Sequence, residues 1–555
     1  MKSLIELEID QLYTSLPYTL TKTQIRILDV IFRTRERHIY SLIEAANGVG
    51  KTTCIATAAA LLAKQGVRSA IFCMTYKQIS RVINELKRIG TAARSVVVGS
   101  HDAFCCSDNF ASPRTICRIR SMRGACAYGR PSADYSPWLL DVDELVRDAR
   151  TRGVCAYEAA WQSADNAQIV LATQAYLLYD NSWKKISRFV DNRFLLVDEC
   201  HNLIHSGVSV FSFSLDFKSS ACKRIREIVV AKTRWSKGTL LARLGDVENF
   251  IADVYQEILS LLDSKNNHLA WKVINEYNLI KLLWEATYDR LFVRENQCEG
   301  YLGYPEEHLN RRFKAFSGGV LVSATPGSIE TYKRIVYDAP LYVEKLPAPY
   351  TKDQLKIFIL NDFSTKYTER TTQNYVKACD RILRLWEKTR NLGVYLPSYE
   401  YLNKIASTIF EKHPEIAFIS QSPSLVEFRY HENRAVLSVQ GGREGEGSEI
   451  PGGLDVVLVV GLALPFPKSL LVAREKMYRG LGISNPGEPA YISWATQKAV
   501  QAIGRVIRGP SDKGVGILMD RRFQYHYVVR SFPTWFQSYI LRSIGFEELI
   551  KLLGE

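Results

Sequence analysis

Two glycines, a lysine and a threonine near the start of the chain stand at a spacing that phosphate groups can use. In EAANGVGKTTC, residues 44–54, Gly48 and Gly50 lead into Lys51 and Thr52. Glycines let backbone N–H groups turn inward toward phosphate oxygens, and the head of a following helix adds a positive dipole end. Lys51 would reach the β- and γ-phosphates of ATP, and the Thr52 hydroxyl would ligate Mg²⁺. Asn47 and Thr53 in the same stretch, with Gln24 upstream, complete the expected nucleotide-binding set. Ala45 replaces the first glycine of the usual pattern. A glycine turn ahead of an ordinary helix is the plainer alternative.

An acidic pair follows at a strand-like end, LLVDECHN (195–202). Asp198 would hold Mg²⁺ through water, Glu199 would polarise an attacking water, and His201 comes two residues later. Alone, such a pair is common; downstream of a phosphate loop it gains weight. SATPG (323–327) offers Ser323 and Thr325 as hydrogen-bonding groups between a nucleotide and neighbouring elements. Finally QAIGRVIRG (501–509) carries Gln501, Gly504, Arg505 and Arg508 at three- and four-residue spacing. The spacing predicts one helix face from which two arginines reach a γ-phosphate. A solvated basic face is the competing reading.

These residues need strands and helices to hold them. HIYSLIEA, SAIFCMT, QIVLAT, RFLLVDEC and GGVLVSATPG read as strands, alternating with helical runs such as CIATAAALLAKQ. A second series (GVYLPS, AVLSVQ, DVVLVVGLAL, GVGILMD) follows. The pattern predicts an α/β protein of two nucleotide-fold domains, the first carrying two inserts. The expected divisions are 1–98, 161–206 and 309–335 for the first domain and 336–555 for the second. Residues 99–160 form a cysteine-bearing insert and 207–308 a helical one, where apolar residues recur every three to four positions.

With 555 residues, 46% hydrophobic and 23% charged, the chain has the composition of a multidomain globular protein. Its longest apolar run, VVLVVGLAL, is too short for a membrane span, and the N-terminus lacks a signal layout, so an intracellular protein with no membrane partner is expected. A net charge of +14 favours an anionic partner, nucleic acid first. The 11 cysteines are odd in number, and five fall at 105, 106, 117, 126 and 155. Their gaps fit neither zinc-ribbon nor ferredoxin patterns, which leaves a metal site and inert core thiols both open.

In their order, the phosphate loop, DECH box, SAT triplet and Q-x-x-G-R-x-x-R resemble a superfamily 2 helicase. GVYLPSYEYL (393–402), EGEGSEI (444–450), DRRF (520–523) and PTWF (533–536) narrow the resemblance to XPD-type helicases, relatives of the DinG helicases. The segment 141–180 is similar to the stretch leaving that family's cluster domain. The resemblance implies ATP-driven movement along single-stranded DNA, 5′→3′ polarity, action on forked DNA, a duty in DNA repair with repair proteins as partners, and a monomer. It implies a [4Fe–4S] cluster held by Cys105, Cys117, Cys126 and Cys155, with Cys105 preferred to Cys106. It also implies that the two α/β domains are RecA-like P-loop motor domains and that the 207–308 insert is an arch. A DinG-like duty and an ATP-switched DNA-binding protein are the rival readings. Arg114, Arg118, Arg120, Arg123 and Arg130 share a stretch without carboxylates. Beside a DNA path they would bind phosphates, each steepening the salt dependence by ~0.7 on a log–log scale. Phe104 and Tyr128 are read as core before base-stacking platforms.

Overall fold

A computed structural model describes residues 16–106, 127–214, 220–244, 290–294, 297–301, 305–336, 339–389, 391–412, 434–442, 453–464, 468–480, 482–507 and 512–554, with isolated helical positions between 254 and 283. The first domain is built on seven parallel strands: β1 (Tyr40–Glu44), β2 (Ser69–Cys73), β3 (Ser95–Val97), β4 (Ile169–Thr173), β5 (Phe194–Asp198), β10 (Gly319–Ser323) and β11 (Leu341–Lys345). Their order is β11-β1-β10-β5-β2-β4-β3. Every residue of β1, β2, β4, β5 and β10 is buried, which is why these strands read as unbroken apolar runs rather than alternating ones. Helix Lys51–Lys64 covers the sheet with an alanine-rich, almost wholly buried surface. Helix Tyr76–Ile89 is amphipathic instead, opened by a Thr75/Gln78 capping box and closed by Gly90 at φ +68°.

The second domain has six parallel strands: β12 (Leu355–Leu360), β13 (Asn391–Leu396), β14 (Arg434–Val439), β15 (Val456–Val460), β16 (Gly514–Met519) and β17 (Ile540–Ile544). Their order is β14-β13-β15-β16-β12-β17. The two parallel sheets agree with the expected α/β architecture. Among the described residues, no helix is long and apolar enough to cross a membrane.

Three expectations need correction. The 207–308 insert is not purely helical: β6 (Ser209–Ser214), β7 (Arg234–Ser236), β8 (Arg290–Arg294) and β9 (Gln297–Tyr301) make an antiparallel sheet in the order β6-β9-β8-β7. These strands of three to six residues are too short for their period-2 signal to compete with the longer helical runs around them. Helix Pro305–Phe313 begins inside the expected insert yet packs on the first domain, where the Tyr40 hydroxyl donates to the Phe313 carbonyl at 2.6 Å. The first sheet also runs past 335, because β11 pairs in parallel with β1. Phe104, in agreement with its reading as core, is fully buried and edge-on to Tyr76 at 6.0 Å.

The centre of the first sheet tolerates no added bulk. A Cβ on Gly319 would lie 2.6 Å from the Leu195 Cβ and 2.7 Å from its carbonyl oxygen. Gly319→Ala should therefore destabilise the first domain by about 1–3 kcal/mol, measured as a lowered midpoint of thermal unfolding.

Candidate active site

Strands β1, β10 and β5 lie side by side and end at the same edge of the sheet, with β10 between the other two. The loop leaving β1 turns through Gly48 (φ +77°) and Gly50 (φ +81°), conformations that a residue with a Cβ rarely adopts. A Cβ on Gly50 would sit 2.4 Å from the Gln24 side-chain nitrogen, so Gln24 forms a wall of the loop. Lys51 and Thr52 open the helix, and Thr53 follows in the same turn. The Lys51 side chain is 8% exposed; its amine lies 3.3 Å from the Ala46 carbonyl, 3.4 Å from the Asn47 Oδ1 and 3.7 Å from a Glu199 carboxylate oxygen. These are long contacts for a charged donor.

The Thr52 hydroxyl donates to Asp198 Oδ2 at 2.9 Å, joining the loop helix to the end of β5. Asp198 is buried, and its other oxygen accepts from the Glu199 N–H at 3.0 Å. Glu199 itself adopts a left-handed backbone at φ +50°, which turns the chain sharply after β5. Burial, then the neighbouring Glu199, raises the Asp198 carboxyl above its ordinary range. Burial also acts to raise Glu199, but Lys51 and then His201 outweigh it and hold that carboxyl low. The pair therefore differs in proton affinity because Lys51 and His201 outweigh burial at Glu199, whereas at Asp198 burial and the neighbouring carboxylate outweigh its donors.

His201 carries the connection across the cleft. Its Nδ1 lies 2.9 Å from the Ser323 hydroxyl and 3.4 Å from Glu199 Oε2. Its Nε2 accepts from the Gln501 amide nitrogen at 2.7 Å. An amide nitrogen only donates, so the ring proton is on Nδ1, facing Ser323 and Glu199. Gln497, one turn earlier, donates to the Thr325 carbonyl at 2.7 Å, and the Trp535 indole donates to the Ala324 carbonyl at 2.9 Å. The SAT triplet thus joins the nucleotide-side residues to the second domain through the main-chain carbonyls of Ala324 and Thr325, while the Ser323 hydroxyl serves His201 within the first domain. Gly504 comes close to the phosphate loop as well: a Cβ there would lie 2.0 Å from Asn47 Nδ2.

The expected single helix face of Gln501, Gly504, Arg505 and Arg508 does not form. Helix Ser493–Ile503 ends before Arg505, with Gly504 as its C-cap, so Arg505 sits in the turn beyond and Gln497 shares the face with Gln501. Arg508 lies outside the described residues, as do residues 444–450, Arg114, Arg118, Arg120, Arg123, Cys117 and Cys126. Among the described residues, no group of three or more His, Cys, Asp or Glu side chains could hold a metal ion. Cys105 and Cys155 are partly exposed, whereas the Cys106 thiol is buried and points to the Val154 carbonyl at 3.7 Å. Gln497 and Glu44 were given no role in the sequence, and Trp535 was read only as part of PTWF; Gln497 had a usable signal, its four-residue spacing from Gln501.

Two family models cover parts of this framework. The DEAD_2 model matches residues 72–219, and the helicase C-terminal domain model matches residues 382–539. The ATP-dependent DNA helicase XPD of Sulfolobus acidocaldarius is 23% identical over 91% of this chain and 96% of its own. The chain is an XPD-like helicase. The ATP-dependent DNA helicase chl1 of Schizosaccharomyces pombe is 21% identical, covering 86% of this chain and 73% of its own. A solved XPD helicase structure shares the fold with a TM-score of 0.72 at 18% identity, covering 95% of this XPD-like chain and 100% of that one. A solved apo XPD structure gives 0.63 at 15% identity, with 94% and 100% covered.

The His201–Gln501 contact should be measurable as an energy. A double-mutant cycle of His201→Ala and Gln501→Ala in urea unfolding should give a coupling of about 0.5–3 kcal/mol. Strict additivity would mean that the two side chains do not touch in solution.

Proposed function

We propose that this XPD-like chain is an ATP-hydrolysing DNA helicase whose reaction centre lies between its two motor domains. One observation carries the reading: a continuous path of contacts from Thr52 through Asp198, Glu199 and His201 to Gln501, which joins the phosphate loop of one domain to a helix of the other. The residues suit the expected nucleotide. Left-handed glycines free the loop's N–H groups, and the long contacts of Lys51 leave an amine that phosphate oxygens would hold better. Thr52 and Asp198 present two oxygens 2.9 Å apart at the place where Mg²⁺ would be held. Bound there, Mg²⁺ would neutralise charge on the β- and γ-phosphates.

The chain's own groups then have distinct tasks. Lys51 binds phosphate oxygens. Glu199, kept ionised by Lys51 and His201, orients and polarises the attacking water. His201, with its proton on Nδ1, holds Glu199 and reports the approach of Gln501. Arg505 and Arg508 are assigned to the charge that develops on the transferred phosphate. Repetition of closure and reopening would drive single-stranded DNA along the chain, in the 5′→3′ direction and in a repair setting as the resemblance implies.

For the [4Fe–4S] cluster, thiolates at Cys105, Cys117, Cys126 and Cys155 are the donors we assign. The described flanks of this set converge. Gly129, three residues after Cys126, pairs with the strand-like Gly153–Cys155 turn, and the Tyr128 hydroxyl and Arg150 guanidinium both donate to the Cys106 carbonyl. Cys106 turns its thiol into the protein, which favours Cys105 as the first ligand. A bound cluster would tie these four cysteines together and so supply rigid support to the segment.

Three outcomes test these assignments. Lys51→Ala should abolish ATP turnover and leave single-strand binding nearly intact. Wild-type protein should displace a strand from a partial duplex bearing a 5′ overhang, only with ATP, and fail on the 3′ counterpart. DNA-stimulated ATPase without displacement would instead favour the ATP-switched binding protein. Anaerobically purified protein should hold about four irons per chain with broad visible absorbance; Cys105→Ser should lose both, whereas Cys106→Ser should keep them.

A further inference from the structure

Glu44, the last residue of β1 and the one immediately before the phosphate loop, has its carboxylate almost fully buried at the meeting of the two domains. Its partners come from the far side. Its Oε1 accepts from the Thr534 N–H at 2.9 Å, and the Trp535 N–H also donates to the carboxylate. Lys345, opposite Glu44 on β11, donates to the Thr534 hydroxyl at 3.3 Å and supplies the nearby positive charge. A carboxylate this deeply buried costs free energy unless it is hydrogen-bonded, and here the main-chain donors all belong to residues of the second domain.

The same short segment reaches the nucleotide loop by two further routes. Trp535 holds Ala324, next to Ser323, which pairs in register with Glu44 across β1 and β10. Tyr539 donates to the Tyr350 carbonyl at 2.6 Å, and the Tyr350 hydroxyl donates to the Asn47 carbonyl, inside the loop, at 2.5 Å. Among these links, those made by Glu44 and Lys345 to Thr534 involve a charged side chain. Separation of the domains would return the Glu44 carboxylate to water, and closure would exchange water for the two N–H groups. Contacts of this kind can be made and broken without leaving a stranded charge.

Resting on the helicase reading above, we propose that Glu44 is a positioning residue whose carboxylate docks the 533–539 segment onto the strand that feeds the phosphate loop. Docking at this point fixes how far Gln501 and Arg505 stand from His201 and Glu199. Its contribution therefore falls on the step that follows ATP binding, when both domains must act on one phosphate.

The test uses the full chain with Glu44→Ala and the isosteric Glu44→Gln, whose amide oxygen still accepts. Two quantities are measured: hydrogen–deuterium exchange of the peptide spanning 533–539, and ATP turnover with and without single-stranded DNA. Glu44→Ala should speed exchange in that peptide about tenfold. It should also lower the DNA-stimulated kcat about tenfold while the KM for ATP moves less than about threefold. Glu44→Gln should stay within about threefold of wild type on both. Unchanged exchange in Glu44→Ala would overturn the proposal, as would a raised KM with kcat intact, which would confine Glu44 to shaping the loop. If the wild-type protein hydrolyses no ATP, the helicase reading falls. Exchange then decides the docking alone: faster exchange in Glu44→Ala sustains it and unchanged exchange removes it.

Discussion

A reaction centre split between two domains works only if both halves register each other's position, and here one imidazole touches groups of both halves. His201 touches Ser323 and Glu199 with one nitrogen and Gln501 with the other. A ring of fixed geometry spans the gap, so a shift of the second domain is felt at the carboxylate expected to act on water. The tautomer matters: with the proton on Nδ1, the ring is a donor on the catalytic side and an acceptor on the far side. Each half thus presents what the other lacks.

Around that link the protein places polar groups where water is scarce and gives nearly all of them partners. Asp198, buried, accepts from Thr52 and from its own neighbour's N–H. Ser323, fully buried at the end of β10, serves His201 and the Thr325 N–H together. Such networks are rigid when satisfied and costly when broken. Their place at the ends of central parallel strands follows from topology: the strand ends bring together loops that are distant in sequence.

Residues whose chemistry is local were legible before any coordinates. Lys51, Thr52, Asp198 and Glu199 each sit within a few residues of the glycines or the apolar strand that identify them. The parallel strands were legible for the same reason, since burial on both faces leaves an unbroken apolar run. Legibility fails where the signal is short or the partner remote. Gly504 was read as a helix interior residue, although a glycine there equally marks a helix end. β11 is half-exposed at the sheet edge and lacks the apolar run of its neighbours. Glu44 looked like an ordinary strand residue, because nothing in its own surroundings points to a segment near the C-terminus.

The position of β10 has a consequence for synthesis. This strand completes the middle of the first sheet, between β1 and β5, but the ribosome makes it only after the whole 207–308 insert. Until then the facing edges of β1 and β5 have no partner, and both strands, mainly apolar, are buried along their entire length in the finished sheet. At roughly 5–20 residues per second, that interval is on the order of ten seconds from the end of β5. Unpaired apolar strands in a nascent chain are open to pairing with other chains. The first domain is therefore a natural client for chaperones that shield strand edges, and its yield on heterologous expression should depend on their supply more than that of the second, uninterrupted domain.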